Sequence, residues 1–325
     1  MVGCYLTSDR ILEDNMAKVV IKTNNLTREE WLQYRTKGIG GSDVSIIAGI
    51  NSFKSIYQLW LEKTGKIELE EENSEYAHFG TLLEPIVRKE FMERTGLKVR
   101  QKHMLLQSEE YPFMLADLDG VIREKGKLCI FEAKTASAYK QEIWEQGVPA
   151  PYILQVQHYM AVTGAVKTYI AAIVGGNHFF YHVVERDDQM ICKIITMEKY
   201  FWEKHVLRQV EPLPDGSDVT TRYFNDKFKN CNGETIELPE EVLSICDEYD
   251  NLIQKIRKLE KHKNATANRL KSYLGEAETG VVENRTISWK RITKNSVDTK
   301  RLKAEQPEIY ANYLTKSSYR RLSIA

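Results

Sequence analysis

Apolar and polar positions alternate between two periods along this chain, and the places where the period changes mark its elements. Thr27 and Glu30 stand three apart as a capping box, with Trp31, Tyr34 and Arg35 behind them at helical spacing, which predicts a helix over about 28–36. Gly38, Gly40 and Gly41 break it. Ser42 is placed to cap a short helix through Ala48, and Ser55 with Gln58 opens a third that stops at Gly65. Residues 79–95 keep helical spacing up to Gly96. The period then drops to two, predicting strands over 99–106, 113–122 and 128–134, with Glu124-Lys125-Gly126-Lys127 turning the last two. A helix over 150–163 ends at Gly164, strands over 167–174 and 179–185 flank Gly175-Gly176-Asn177, and 187–206 is helical again. Helices before a sheet, with one inserted within it, define an α/β or α+β body.

Beyond Pro212, Pro214, Asp215 and Gly216 the character changes. Pro239 with Glu240 and Glu241 opens a helix whose Val242, Ile245, Tyr249, Leu252, Ile256 and Leu259 alternate spacings of three and four. This apolar seam is shorter than three heptads, which favours packing onto the body over self-association. A strand over 281–292 and a helix over 307–314 follow. The expected organisation is a main domain over 1–237 and a C-terminal helical and small α+β appendage over 238–325. Composition changes this picture little: 42% of the 325 residues are apolar and 28% charged, as in ordinary globular domains. Five cysteines without CxxC spacing argue against a disulfide framework or structural zinc, and no apolar run approaches the ~20 residues that cross a bilayer. The expectation is a cytoplasmic protein without a membrane partner. Formal charge is zero, but residues 238–325 carry 17 Lys+Arg against 12 Asp+Glu, or +5, leaving 29 against 34, or −5, for the rest. Trp289 in this basic tail is the tryptophan to test for partner contact.

The sharpest chemical signal lies at 117–134. With Lys125-Gly126 as a two-residue turn, cross-strand partners have numbers summing to 251, which sets Val121 opposite Ile130 and Asp119 opposite Glu132. Alternation puts Glu132 and Lys134 on the face of Asp117 and Asp119, with Phe131 and Ala133 turned to the core. Acids ~5 Å apart repel unless a cation lies between them, and Mg²⁺ is the hard cation such oxygens bind. A charged hairpin facing water would show the same pattern. The wholly apolar run Leu128-Cys129-Ile130-Phe131 leading into Glu132 argues for a buried strand instead.

Asp119-Gly120 followed by Glu132-Ala133-Lys134 resembles the PD-(D/E)XK nuclease signature, and its surroundings resemble the YqaJ viral recombinase family, relatives of phage lambda exonuclease. Four further blocks stand in the family's order: WLQYRTKGIGGSDVSIIAG from Trp31, FGTLLEP from Phe79, ADLDG from Ala116 and LQVQHYMAVTG from Leu154. Leu118 departs from the proline often found there. The resemblance covers about 27–205 and implies a restriction-endonuclease-like core, a central mixed sheet flanked by helices. It further implies that Asp119, Glu132 and the Ala133 carbonyl hold metal, that Glu84 supplies a third carboxylate, and that Lys134 activates or orients water. Glu84 is equally suited to an ordinary i,i+4 pair with Arg88. Gln155 and Tyr159, four apart on one helix face, would hold DNA backbone or orient the lysine, and Gln157 is included although it points elsewhere. Arg35 and Ser42 bracket the glycine-rich turn as an anion site, which in similar nucleases grips a 5′ phosphate. His178 and His182 have HxxxH spacing, but on a strand that spacing does not serve one metal.

The resemblance thus implies a Mg²⁺-dependent exonuclease, two ions per site with Mn²⁺ able to substitute. It would digest one strand of linear duplex DNA 5′ to 3′ and leave 3′ single strands for an annealing partner, in some relatives as a trimeric ring. A phage or prophage origin in a bacterial host goes with it. An endonuclease on the same fold would keep every catalytic residue, and a non-cutting module that binds DNA ends would use the same groove.

Overall fold

The computed structural model describes residues 17–67, 75–315 and 317–324. These fall into two compact units that divide between Phe224 and Asn225, ahead of the expected 237/238 boundary. Among the described residues no helix is long and apolar enough to cross a membrane.

The first unit opens with β1 (Ala17–Lys22), α1 (Arg28–Thr36), β2 (Ile39–Gly40), α2 (Gly41–Ile47), α3 (Ile56–Lys63) and α4 (Glu75–Thr95). Capping boxes at Thr27/Glu30 and Ser55/Gln58 start α1 and α3 as the sequence predicts. Ser42 does not cap α2: Gly40 takes that position, and Asp43 Oδ2 accepts the Gly40 N–H at 2.9 Å. Then come β3 (Met104–Ser108), β4 (Met114–Asp117), β5 (Gly120–Glu124) and β6 (Lys127–Ala136). The turn is the expected one, with Lys125 at φ 49° and Gly126 at φ 82°, and the register pairs Val121 with Ile130 and Gly120 with Phe131. The strand predicted over 113–122 breaks at Leu118-Asp119. Its first half, β4, joins β1, β3 and β2 in one sheet, and its second half, β5, starts another.

After β6 the chain forms α5 (Gln141–Gln146), α6 (Ala150–Thr163), β7 (Lys167–Val174), β8 (His178–Glu185), α7 (Asp188–Tyr200) with a wider turn over Phe201–Leu207, and α8 (Asp218–Lys227). The second sheet has the order β5-β6-β7-β8 and is mixed: β6 and β7 run parallel, and the outer pairs are antiparallel. A parallel neighbour needs a crossover, which α5 and α6 supply. α4 covers one face, burying Val87 and Phe91 against Ile122, Cys129, Phe131 and Tyr169. α6 covers the other, where Val156 and Met160 meet Val121 and Ile130. Phe91, fully buried, stands 5.0 Å from the Phe131 ring and 5.5 Å from Tyr169. Its truncation to alanine costs about 3–5 kcal/mol. The fold is therefore mixed α/β, with sheets flanked by helices. Because both faces of β6 are covered, Glu132 and Lys134 do not lie on a wet face.

The second unit holds α9 (Val242–Leu274), the hairpin of β9 (Thr279–Val282) and β10 (Arg285–Ser288), then α10 (Thr299–Glu305) and α11 (Pro307–Asn312). The seam of α9 is not buried as expected: no residue of this helix is buried.

Candidate active site

A cavity of about 610 Å³ in the first unit gathers residues from α1, α2, α4, α6, the break between β4 and β5, and the end of β6. Glu84, Asp119, Glu132, Ala133 and Lys134 line it, with Arg35, Ser42, Gln155 and Tyr159.

Asp119 immediately precedes β5. The last ladder pair is Gly120 with Phe131, so the edge of β6 beyond it is uncovered, and Asp119 Oδ2 takes up the Ala133 N–H at 2.8 Å. Glu132 is only 2% exposed. Its Oε1 accepts from Gln155 Nε2 at 2.8 Å and pairs with Lys134 Nζ at 2.8 Å, while Oε2 is buried without a hydrogen-bond partner. An orphaned buried acceptor costs about 1–3 kcal/mol, more when charged. Lys134 Nζ also donates to Gln155 Oε1 at 3.0 Å, and Gln155 Nε2 reaches the Tyr159 hydroxyl at 3.1 Å. One amide thus ties the lysine, the glutamate and the phenol together.

The charges respond accordingly. Burial, then the nearby Glu132 and Glu84, push the Asp119 carboxyl well above the usual range, with Lys134 opposing. Burial likewise raises Glu132, against the pull of Lys134. Burial alone would lower the Lys134 ammonium, but Glu132 and Asp119 outweigh it, and its affinity for the proton rises. Burial and the same two acids hold Tyr159 as a neutral phenol, well above its ordinary range.

Glu84, from the cavity side of α4, makes the i,i+4 pair with Arg88 at 3.1 Å and lines the cavity as well. Among the described residues no three Asp, Glu, His or Cys side chains converge closely enough to ligate one ion as they are placed. The donor set nevertheless fits a hard cation: two buried carboxylates with raised proton affinity, one of them with an orphaned oxygen, and a third acid on the same cavity.

On the same cavity, Arg35 Nη2 donates to Ser42 Oγ at 2.9 Å, and its guanidinium lies 4.8 Å over the Trp31 ring. Trp31 Nε1 in turn donates to Asp117 Oδ2 at 3.0 Å. Beneath sits an ion pair that sequence reasoning missed. Lys63 Nζ meets Asp43 Oδ2 at 2.7 Å, both side chains 5% exposed, and also donates to the Arg35 and Gly38 carbonyls at 2.7 Å each. Burial raises the Asp43 carboxyl, but Lys63 and Arg35 overcome this and bring it down to about 2. Burial pulls the Lys63 ammonium down, and Asp43 resists. The only signal in the sequence is a cation in the last turn of α3, which any exposed helix also carries. α2 and α6 approach so closely that a Cβ on Gly41 would stand 2.5 Å from Tyr159 Cε1.

Gln157 is not brought to the cavity. It is 2% exposed, donates to the Glu185 carbonyl at 2.8 Å and accepts from the Asp187 N–H at 3.0 Å, bracing α6 against the end of β8. His182 bonds the Trp144 carbonyl from β8.

The model of the YqaJ-like viral recombinase domain matches residues 30–166, a span that contains all of these cavity acids, Lys134, Arg35 and Ser42. The uncharacterized protein YqaJ of Bacillus subtilis (strain 168) is 39% identical over 312 residues, 95% of this chain and 97% of that protein. The chain belongs to the YqaJ-like viral recombinase family. It is also similar to the crystal structure of an alkaline exonuclease from Laribacter hongkongensis, at 22% identity and a TM-score of 0.46, over 54% of this chain and 91% of that one. A phage related exonuclease from Haemophilus somnus 129PT aligns at 14% identity and a TM-score of 0.41, over 55% of this chain and 100% of the other.

Proposed function

We propose that the protein is a Mg²⁺-dependent deoxyribonuclease that hydrolyses one strand of linear duplex DNA from its 5′ end, leaving 3′ single strands for an annealing protein. The observation that carries this reading is the buried Glu132 carboxylate, with one oxygen unpartnered, on the same cavity as Asp119. Two like charges out of water are costly in an apo protein, and a cation between them reverses the sign of that cost. A bound Mg²⁺ pair, replaceable by Mn²⁺, would be held by Glu132, Asp119, Glu84 and the Ala133 carbonyl and supplies charge neutralisation and an acidified water.

The chain's own groups have separate tasks. Lys134 keeps its proton, so it is no proton acceptor; its ammonium offsets negative charge that develops on the phosphate. Gln155 fixes the lysine by accepting from Nζ while donating to Glu132. Tyr159, held neutral, retains a hydroxyl proton to donate to a backbone oxygen. Arg35 and Ser42 bind a terminal 5′ phosphate, the guanidinium pre-oriented by Trp31 and by Ser42 Oγ. The annealing partner, a trimeric ring and a cytoplasmic, phage-derived setting belong to the same proposal through family membership.

The test is digestion of linear duplexes labelled at either terminus, beside a closed circle, with Mg²⁺ and with EDTA. Release of the 5′ label first, only from linear DNA and only with Mg²⁺, is expected. Cleavage of the circle makes the protein an endonuclease, and binding without cleavage of either substrate makes it a DNA-end module; each outcome overturns the proposal.

A further inference from the structure

The C-terminal unit carries a charged surface that the cavity chemistry does not use. On α9, Arg257, Lys261, Asn264, Asn268 and Lys271 recur at spacings of four, three, four and three, which at 3.6 residues per turn is one face of the helix. All five are exposed, and the first four line a single shallow groove bordered by Glu260. At 1.5 Å per residue the stripe runs about 21 Å. It ends on an aromatic ring: Lys271 Nζ stands 5.4 Å over Trp289, which follows β10, is 49% exposed and is succeeded by Lys290 and Arg291. The apolar seam from Val242 to Leu259 occupies a different side of the helix, so the stripe is not its flank.

We propose that this stripe is a binding site for single-stranded nucleic acid, with the cations and amides on the phosphate–sugar backbone and the Trp289 indole stacking on a base. A track of spaced cations with amide donors, closed by an exposed aromatic face, is the combination that single strands use. An acidic protein would have no use for the indole face, and a lipid surface would call for apolar residues beside the cations rather than asparagines. The choice of nucleic acid among polyanions rests on the nuclease reading of the cavity.

The experiment measures anisotropy of a dye-labelled oligothymidylate with the full chain in EDTA, across a salt series. The Arg257→Glu/Lys261→Glu double variant is expected to bind at least tenfold more weakly, with a log–log salt slope shallower by about 1.4, two cations at ~0.7 each. Trp289→Ala is expected to bind about fivefold more weakly or worse at an unchanged slope. Circular dichroism melting checks that both variants keep the fold. Wild-type affinity in the double variant, or tighter binding of polyglutamate than of the oligonucleotide, overturns the inference. Digestion of linear duplex by the same preparations separates the two readings. Digestion with unaltered strand binding removes the stripe alone, and strand binding lost in the double variant without digestion by the wild type removes only the nuclease.

Discussion

Glu132→Gln keeps the side chain's shape and removes one charge from a buried position, so it weighs the site's electrostatics against its chemistry. Lys134 loses its 2.8 Å charge partner, and breaking a buried pair costs about 3–5 kcal/mol. The lysine keeps Gln155 Oε1 at 3.0 Å and is 19% exposed, which places the cost at or below the low end of that range. Against it stands relief: the repulsion with Asp119 disappears. The amide NH2 that replaces the unpartnered oxygen is a buried donor without an acceptor, so that cost of about 1–3 kcal/mol is not recovered. The difference leaves the variant no more than about 3 kcal/mol below the wild type in EDTA, a melting shift of no more than about 12 °C for a domain of this size. Activity behaves otherwise. Losing an outer-shell partner of a metal typically costs 10–100-fold, so the variant, as the loss of a proposed ligand, is expected to digest DNA at least about 100-fold more slowly. Calorimetry in EDTA and in Mg²⁺ supplies the linked measurement. Mg²⁺ at about 100 times its Kd is expected to stabilise the wild type by about 2.7 kcal/mol and to leave the variant nearly unmoved. A variant that digests DNA at the wild-type rate, or a wild type that melts alike in both buffers, would refute the assignment of Glu132 as a ligand.

Arg35→Ala should abolish any preference for 5′-phosphorylated over 5′-hydroxyl ends in a competition digest, and an unchanged ratio counts against the anion site. Lys63→Met strands the buried Asp43 carboxylate and two carbonyls, and should lower stability by about 3–5 kcal/mol in urea unfolding. The Asp43 carboxyl lies at about 2 against an ordinary 3.8, so its contribution of about 2 kcal/mol is complete above pH ~4 and disappears as pH falls through about 2. Acid unfolding of Asp43→Asn should therefore lack that step, and a titration of matching shape would remove the reasoning. Gly41→Ala drives a methyl group into the Tyr159 ring, which should cost about 1–3 kcal/mol by thermal melting and slow digestion by displacing Tyr159 and Gln155.

What could be read from the chain was what neighbours in the chain decide. The capping boxes of α1 and α3 and the two-residue turn at Lys125-Gly126 are local, and a turn of that length sets the whole β5–β6 register. The facing of Gln155 with Tyr159, four residues apart on α6, is local in the same sense. Tertiary structure decided the rest, because burial depends on which element crosses which face. A strand-favouring stretch over 113–122, carrying Asp117 and Asp119 within it, does not announce that β4 and β5 belong to different sheets, and that break frees Asp119 to take the Ala133 amide. Gln157 and Gln155 are the same residue type two positions apart, yet one braces β8 and the other holds Lys134, since α6 meets different partners on its two sides. Asp43 and Lys63 come from separate helices and become an ion pair only where packing removes water from both.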